Sequence, residues 1–290
     1  MSPKITVITP SFNGLHLLKK HLPQVLQAVP SATIVVIDDG STDNTPQSIA
    51  KNYPQVTCLV NPQNIGFTAS INRAVQETES DYIVLLNNDV QPLPGLLDSA
   101  LPLLKQKDVF AVTFAEADSS WPEISFHHGQ IQFTQGQDRS KPHYSGWASG
   151  GSCIIKRSVW DKLGGFNPIY SPGYWEDIDL GWRAWKAGYK IVWHPACKVI
   201  HQHESTFKKL NPTKIRQIKE RNQLLFNLQN ITEKKLKLQQ LLYLPFYALT
   251  HLGYIKIVFM VLSRLSLFRR CPDKLTDSSV LQLLKVSPQI

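Results

Sequence analysis

Three apolar runs in the first ninety residues each stop on a short polar stretch, and two of these stops are acidic. Ile5-Thr6-Val7-Ile8 runs into Thr9-Pro10-Ser11-Phe12-Asn13. Ile34-Val35-Val36-Ile37 runs into Asp38-Asp39-Gly40-Ser41, and Tyr82–Leu86 into Asn87-Asn88-Asp89. A carboxylate at a strand end can accept from a base N–H or a ribose hydroxyl, and a turn glycine such as Gly40 lets the backbone approach a ligand closely. Asp89 alone could hold a divalent cation bridging two phosphates, because Mg2+ and Mn2+ take oxygen ligands and use few protein carboxylates. Asn64-Ile65-Gly66-Phe67 opens a helix, whose first N–H groups suit phosphate or ribose. The chemistry expected is that of a nucleotide site.

The densest cluster is Tyr174-Trp175-Glu176-Asp177-Ile178-Asp179-Leu180, with three carboxylates within four positions at a helix start. Asp177 and Asp179 cannot share a helix face. One carboxylate should point into the site while the others cap the helix or pair, with Arg183 as the available cation. A carboxylate beside aromatic rings can be tuned toward general-base work; an acidic first turn also simply suits the helix dipole. His201 and His203 follow a strand-like run, and a His meeting Asp89 in space would complete a mixed N/O metal site.

Short apolar runs alternate with amphipathic stretches, and that alternation must position these groups. Strands are expected at 5–9, 33–37, 56–60, 82–86 and 109–114, and helices at 15–29, 45–52, 67–78 and 93–105. This βαβα order predicts an α/β fold, a mainly parallel sheet with helices on both faces. Periodicity fades over 116–145, which is expected to loop over the site. Order returns at 148–155, with helices near 158–163 and 178–187, a strand at 189–193, and a long amphipathic helix or helix pair over 213–242.

The 290-residue chain carries a net charge of +9, unevenly spread. Residues 1–206 hold 16 Lys and Arg against 18 Asp and Glu; residues 207–290 hold 15 against 4. A near-neutral body, 1–206, is thus followed by a basic helical extension, 207–290, suited to an anionic surface. The run 241–268 is apolar but interrupted by Pro245, His251, Lys256 and Arg264, which favours helices lying in the membrane plane over a spanning one, with a buried helix pair or a dimer interface as the alternative. Cys58, Cys153, Cys197 and Cys271 form no CxxC and are expected to be reduced thiols. The first β-like run begins at Ile5 with no secretory pattern before it, so the catalytic part is expected in the cytoplasm. No GxGxxG follows the first strand, against a dehydrogenase, and no Lys-bearing glycine loop follows it, against a nucleotidyltransferase. Aromatics are sparse among the tail's cations before Tyr243, against a nucleic-acid partner.

Taken in order, Thr9-Pro10-Ser11-Phe12-Asn13, Asp38-Asp39-Gly40-Ser41, Asn64-x-Gly66-Phe67, Asn87-Asn88-Asp89, Gly150-Gly151, Gly164-Gly165-Phe166 and Trp175-Glu176-Asp177-x-Asp179 resemble a family 2 glycosyltransferase of the GT-A fold, rhamnosyltransferase-like branch. The resemblance covers about residues 3–206 and the Arg221-Asn222 element. It implies an inverting transfer from a nucleoside-diphosphate sugar, UDP- or dTDP-linked, to a hydroxyl of a glycan or lipid-linked acceptor in cell-surface polysaccharide synthesis. Thr9, Pro10, Ser11, Asn13, Asp38, Asp39, Asn64, Gly66, Phe67 and Asn88 would bind the donor nucleotide, with Asp89 and His201 on Mg2+ or Mn2+. Trp147, Gly150, Gly151, Trp175 and Arg183 would face acceptor or donor sugar. Asp177 would be the base, with Glu176 beside it; Glu176 and Asp179 stay alternatives. Asn87 stands where many relatives have the first acid of Asp-x-Asp, and Glu204-Ser205 where many have Gly-Gly-Ser. The expected site of action is the inner face of the membrane. The competing expectation is a degenerate transferase-like domain that binds nucleotide sugar without catalysis; intact Asp39, Asp89 and Asp177 oppose it.

Overall fold

The computed structural model describes residues 2–202, 211–250, 253–269 and 271–288. Its first half alternates as β1 (Ile5–Ser11), α1 (Leu15–Ala28), β2 (Thr33–Asp38), α2 (Thr45–Asn52), β3 (Thr57–Val60), α3 (Phe67–Gln76), β4 (Tyr82–Leu86), β5 (Val90–Pro92), α4 (Leu96–Leu104) and β6 (Val109–Ala115). There follow β7 (Pro122–His127), β8 (Gln130–Gln135), β9 (His143–Tyr144), β10 (Ser152–Lys156), α5 (Arg157–Leu163), α6 (Glu176–Lys186) and β11 (Lys190–His201). The C-terminal segment adds α7 (Pro212–Asn230), α8 (Lys234–Thr250), α9 (Tyr254–Leu262) and α10 (Asp277–Leu283).

The central sheet runs β3-β2-β1-β4-β10-β6-β11-β5, with β9 also on β11. Strands β1 to β4, β6 and β11 point one way; β10 runs against β4 and β6, and β5 and β9 run against β11. The sheet is therefore mostly parallel. Its inner strands are apolar on both faces because helices cover both. Side chains alternate across the pleat: Ile83 and Leu85 of β4 enter one core with α3, α5 and α6, and Val84 and Leu86 enter the other with α1, α2 and α4.

The departures from the sequence expectation that bear on the site are these. The helix expected from residue 93 starts at Leu96, since Val90–Pro92 is taken up as β5 against the end of β11. Strand β11 runs on to His201, crossing Pro195 with a register irregularity between Trp193 and Lys198, because proline cannot donate to the ladder. The 116–145 segment is not a plain loop. It folds into a two-stranded hairpin, β7 on β8, whose turn residues His128 and Gly129 both have positive φ, 50° and 74°, as a two-residue I′ turn requires.

The expected boundary near 206, with His203, Glu204 and Ser205, lies outside the described residues, as does Arg270. The segment beyond shares the sheet's core: Leu225 and Phe226 of α7 and Val280 of α10 pack in one cluster with Ile8 and Leu85. A buried ion pair fastens its end. Lys186 Nζ, at the end of α6, donates to Asp277 Oδ1 at 2.9 Å, while Asp277 Oδ2 accepts from the N–H groups of Thr232 and Glu233. No helix among the described residues is long and apolar enough to cross a membrane.

Candidate active site

The parallel register of β1 and β2 sets Ser11 beside Asp38, so the first two strand-end motifs share one edge of the sheet. Loops knit that edge together. Asn13 Oδ1 accepts from Thr42 N–H, Asn13 N–H donates to Ser41 Oγ, and Asp43 accepts from the N–H groups of Leu15 and Thr45, tying together the starts of α1 and α2. Asp39 is buried and organises the next turn. Its Oδ1 accepts from Asn61 Nδ2 and Ile65 N–H, and its Oδ2 from Gly66 N–H, all at 2.8–2.9 Å. A carboxylate offers about four acceptor positions, so one remains for a ligand. Asp38 is wholly buried; Oδ2 accepts from Ser41 N–H, and Oδ1 has no hydrogen-bond partner among the described residues. Thr9 Oγ1 is likewise buried and unpartnered. Asn88 Nδ2 reaches Ser11 Oγ at 3.3 Å, joining the edge of β4 to that of β1. Pro10 and Phe67 are half-buried at this rim and Asn64 is exposed. Gly66 has φ +88°, and a Cβ there would lie 2.9 Å from the Pro172 backbone, so the turn requires glycine.

Asp89 is 1% exposed, just past β4. Pairing of β11 with β5 sets His201 against Val90, and His201 Nε2 lies 3.2 Å from Asp89 Oδ1. On the other side His201 Nδ1 lies 3.2 Å from Glu116 Oε2. Glu116 was not singled out in the sequence; it follows β6, which runs parallel beside β11. Burial works to lower the His201 pKa, but hydrogen bonds to the two carboxylates outweigh it and raise it to about 9. Burial pushes the Glu116 carboxyl up, and hydrogen bonds with His201, Ser152 and Ser119 more than offset this, holding it below its ordinary value. This donor set fits a divalent cation. A carboxylate and an imidazole nitrogen converge, and a second carboxylate fixes the ring from behind, as partners of metal-bound His commonly do. Among the described residues no group of three His, Cys, Asp or Glu side chains forms a complete metal site, so most of the coordination would fall to phosphate and water, as for Mg2+.

The three carboxylates at the start of α6 have separate fates. Asp179 is fully buried: Oδ1 accepts from Tyr170 Oη, Gln229 Nε2 and Asn230 Nδ2, and Oδ2 pairs with Arg183 at 2.7 Å. Arg183 spends its other donors on the carbonyls of Leu163 and Gly165. Both belong to the core, which corrects Asp179 as a possible base and Arg183 as a sugar ligand: every polar atom already has a protein partner. Asp177 is half-buried and oriented. Its Oδ2 accepts from Gly150 N–H at 3.2 Å and its Oδ1 from Ile178 N–H at 2.8 Å. Burial raises its pKa, with the two N–H groups pulling back. Glu176 is buried with Oε2 unpartnered among the described residues; burial first, then the charge of Asp177, pushes it well above the ordinary carboxylate range. The turn before α6 is held from the extension, where Asn222 Nδ2 donates to the carbonyls of Tyr170, Gly173 and Tyr174.

Gly150 and Gly151 pass beneath this turn. A Cβ on Gly151 would stand 2.2 Å from Asn87 Nδ2, so the strand end fits closely against β4. Trp147 and Trp175 flank Phe133 of β8, at ring separations of 4.9 and 6.2 Å. Phe133, Trp175, Ile215, Arg216, Lys219 and Gln223 line an open groove of about 630 Å3. Phe133 and α7's part in the groove had no counterpart in the sequence reading.

A mostly parallel sheet with a polar rim at its strand ends, an Asp–His pair beyond β4 and an oriented carboxylate at α6 is the arrangement of a GT-A type transferase. Residues 6–164 match the Glycosyl transferase family 2 profile, and the chain belongs to that family. It is an inverting glycosyltransferase. It is 29% identical over 220 residues to an N-acetylglucosaminyl-diphospho-decaprenol L-rhamnosyltransferase of Mycobacterium tuberculosis, covering 62% of this chain and 71% of the relative. It is 26% identical over 224 residues to the O-antigen chain rhamnosyltransferase WbaN of Salmonella anatum, covering 70% and 68%. In fold it resembles GalNAc-T7 solved with UDP, GalNAc and Mn2+, with a TM-score of 0.66 and 14% identity over 92% of this chain and 55% of that one.

Proposed function

We propose that the protein transfers a deoxyhexose of rhamnose type from a UDP- or dTDP-linked donor. The acceptor is a hydroxyl of a lipid-linked glycan in cell-surface polysaccharide synthesis at the inner face of the membrane. The rhamnose-type sugar and the lipid-linked acceptor rest on the likeness to the two rhamnosyltransferases, and the observation that carries the transfer itself is Asp177. Its carboxylate is fixed by the N–H groups of Gly150 and Ile178 and raised in pKa by burial. It also sits two residues from Trp175, whose ring lines the groove.

The acceptor hydroxyl, held against Phe133 and Trp147, loses its proton to Asp177 as its oxygen attacks the anomeric carbon. The bond from that carbon to the diphosphate breaks, the electron pair leaves with the nucleoside diphosphate, and the anomeric configuration inverts. Burial and the charge of Asp177 raise Glu176 well above the ordinary carboxylate range, so the negative charge of the pair is favoured on Asp177. Thr9, Ser11, Asp38 and Asp39 bind base and ribose at the rim, with Asn13 and Asn88 holding it in shape. Asp89 and His201 would hold Mg2+ or Mn2+, which when bound neutralises charge on the leaving diphosphate.

Thermal shift with a panel of nucleoside diphosphates and their sugars, with and without Mn2+, tests this. Saturable stabilisation by one nucleotide, enhanced by the metal, is expected. Asp89→Ala should erase the enhancement. No stabilisation by any member would overturn the reading, and stabilisation without turnover of any donor would favour the degenerate domain.

A further inference from the structure

Helices α8 and α9 bury only a narrow stripe. Leu236 and Gln240 of α8 and Tyr254, Ile257 and Val261 of α9 turn inward. Outward stand Leu238, Leu242, Phe246, Leu249, Ile255 and Phe259, between 56% and 87% exposed. Patches of large aliphatic and aromatic side chains on this scale mark a surface that something covers.

The charge around the patch selects the occupant. Lys234, Lys235, Lys237 and Lys256 are exposed beside it, and the sequence from 234 to 272 contains no Asp or Glu. A two-fold contact between copies would set this cationic rim against itself. A face that joins aliphatic and aromatic side chains to cations with no acid fits the acyl and headgroup layers of an anionic bilayer. Neither helix is a spanning candidate, so the contact is in the interface plane.

The same surface is tied to the groove. The turn of the β7–β8 hairpin rests on α8: Tyr247 Oη donates to the His128 carbonyl at 3.2 Å, and the His128 and Tyr243 rings lie 5.3 Å apart. Further along β8, Phe133 lines the groove. We propose that the outer face of α8 and α9 docks into an anionic lipid bilayer and, through the β7–β8 hairpin, sets the acceptor groove beside the lipid surface. The second half rests on the lipid-linked acceptor proposed above; the docking does not.

Co-sedimentation of the full chain with vesicles of phosphatidylcholine, alone or mixed with phosphatidylglycerol, tests the docking. The protein should pellet with the anionic vesicles, less so with the neutral ones, and salt should weaken it. The double variant Leu242→Glu/Phe259→Glu should lose affinity by about tenfold or more, since two apolar side chains no longer enter the interface. Both positions are exposed, so its unfolding midpoint should match the parent's. Retention of the parent in the supernatant with both vesicle types overturns the proposal, and so does unchanged pelleting of the double variant. A vesicle-independent dimer that the same substitutions dissociate, with no vesicle binding, assigns the face to a second copy instead. Nucleotide-dependent thermal stabilisation is measured on the same samples. Its persistence without vesicle binding counts against docking alone, and its absence counts against the transferase reading.

Discussion

The rim where β1, β2 and β4 end and the first turn of α6 both gather carboxylates, and they use them in opposite ways. At the rim, Asp39 and Asp43 are engaged by N–H groups of neighbouring loops, so their charge shapes a surface. At α6 the three acids diverge within four residues. Asp179 is neutralised by Arg183 in the core, Glu176 is desolvated, and only Asp177 remains half-open with two N–H groups fixing its direction. Pre-organisation at the rim comes from many shared bonds, whereas at α6 it comes from fixing one half-open carboxylate between two buried ones.

That contrast breaks most sharply at Asp177. Asp177→Asn keeps the shape and removes the proposed base, so turnover should fall by about 10²–10⁴-fold while donor-dependent thermal stabilisation persists. Parallel loss of donor binding would show that Asp177 acts as a structural acid like those of the rim. The parent should also show an acid limb in kcat above the ordinary Asp value of about 3.9. A carboxylate base works ionised and burial raises the Asp177 pKa, so with Asp177 in the proposed role activity should decline as pH falls through that limb.

Asp179 should behave in the reverse sense. Asp179→Ala leaves the Arg183 guanidinium buried without its partner, at a cost of about 3–5 kcal/mol of stability. Chemical denaturation should show a large drop in midpoint. A stable variant with normal unfolding and lost turnover would return Asp179 to the list of candidate bases.

How far each region was legible in the sequence follows from how its parts come together. The rim was readable because β1, β2 and β4 are apolar on both faces and each motif sits where a run ends. Asp89 and His201 were readable as types, yet their meeting depends on β11 extending through Pro195 to pair with β5, and a periodic run ending at Trp193 carries no such signal. Glu116 was invisible for the same reason, since only the parallel β6–β11 pairing brings it near His201. Asp179 and Arg183 have spacing i,i+4, which fits a surface pair as well as a buried one; the burial comes from Tyr170, Gln229 and Asn230, remote in sequence. The hairpin was missed because its I′ turn is His128-Gly129, lacking the Asn-Gly or Asp-Gly pattern that marks such turns.

Phe133 offers the finest test, because it belongs to neither kind of carboxylate site. It is exposed and lines the groove, and its ring packs near-perpendicular to Trp147. Phe133→Ala removes one aromatic wall and leaves the rim and Asp177 untouched. Aromatic contacts of this kind are worth about 0.5–1.5 kcal/mol beyond area, so the acceptor KM should rise by roughly threefold to tenfold. The donor KM and the acid limb should stay as in the parent. If the donor KM rises instead, the groove faces the sugar nucleotide, and the division between a donor rim and an acceptor side at α6 would have to be redrawn with β8 on the donor side.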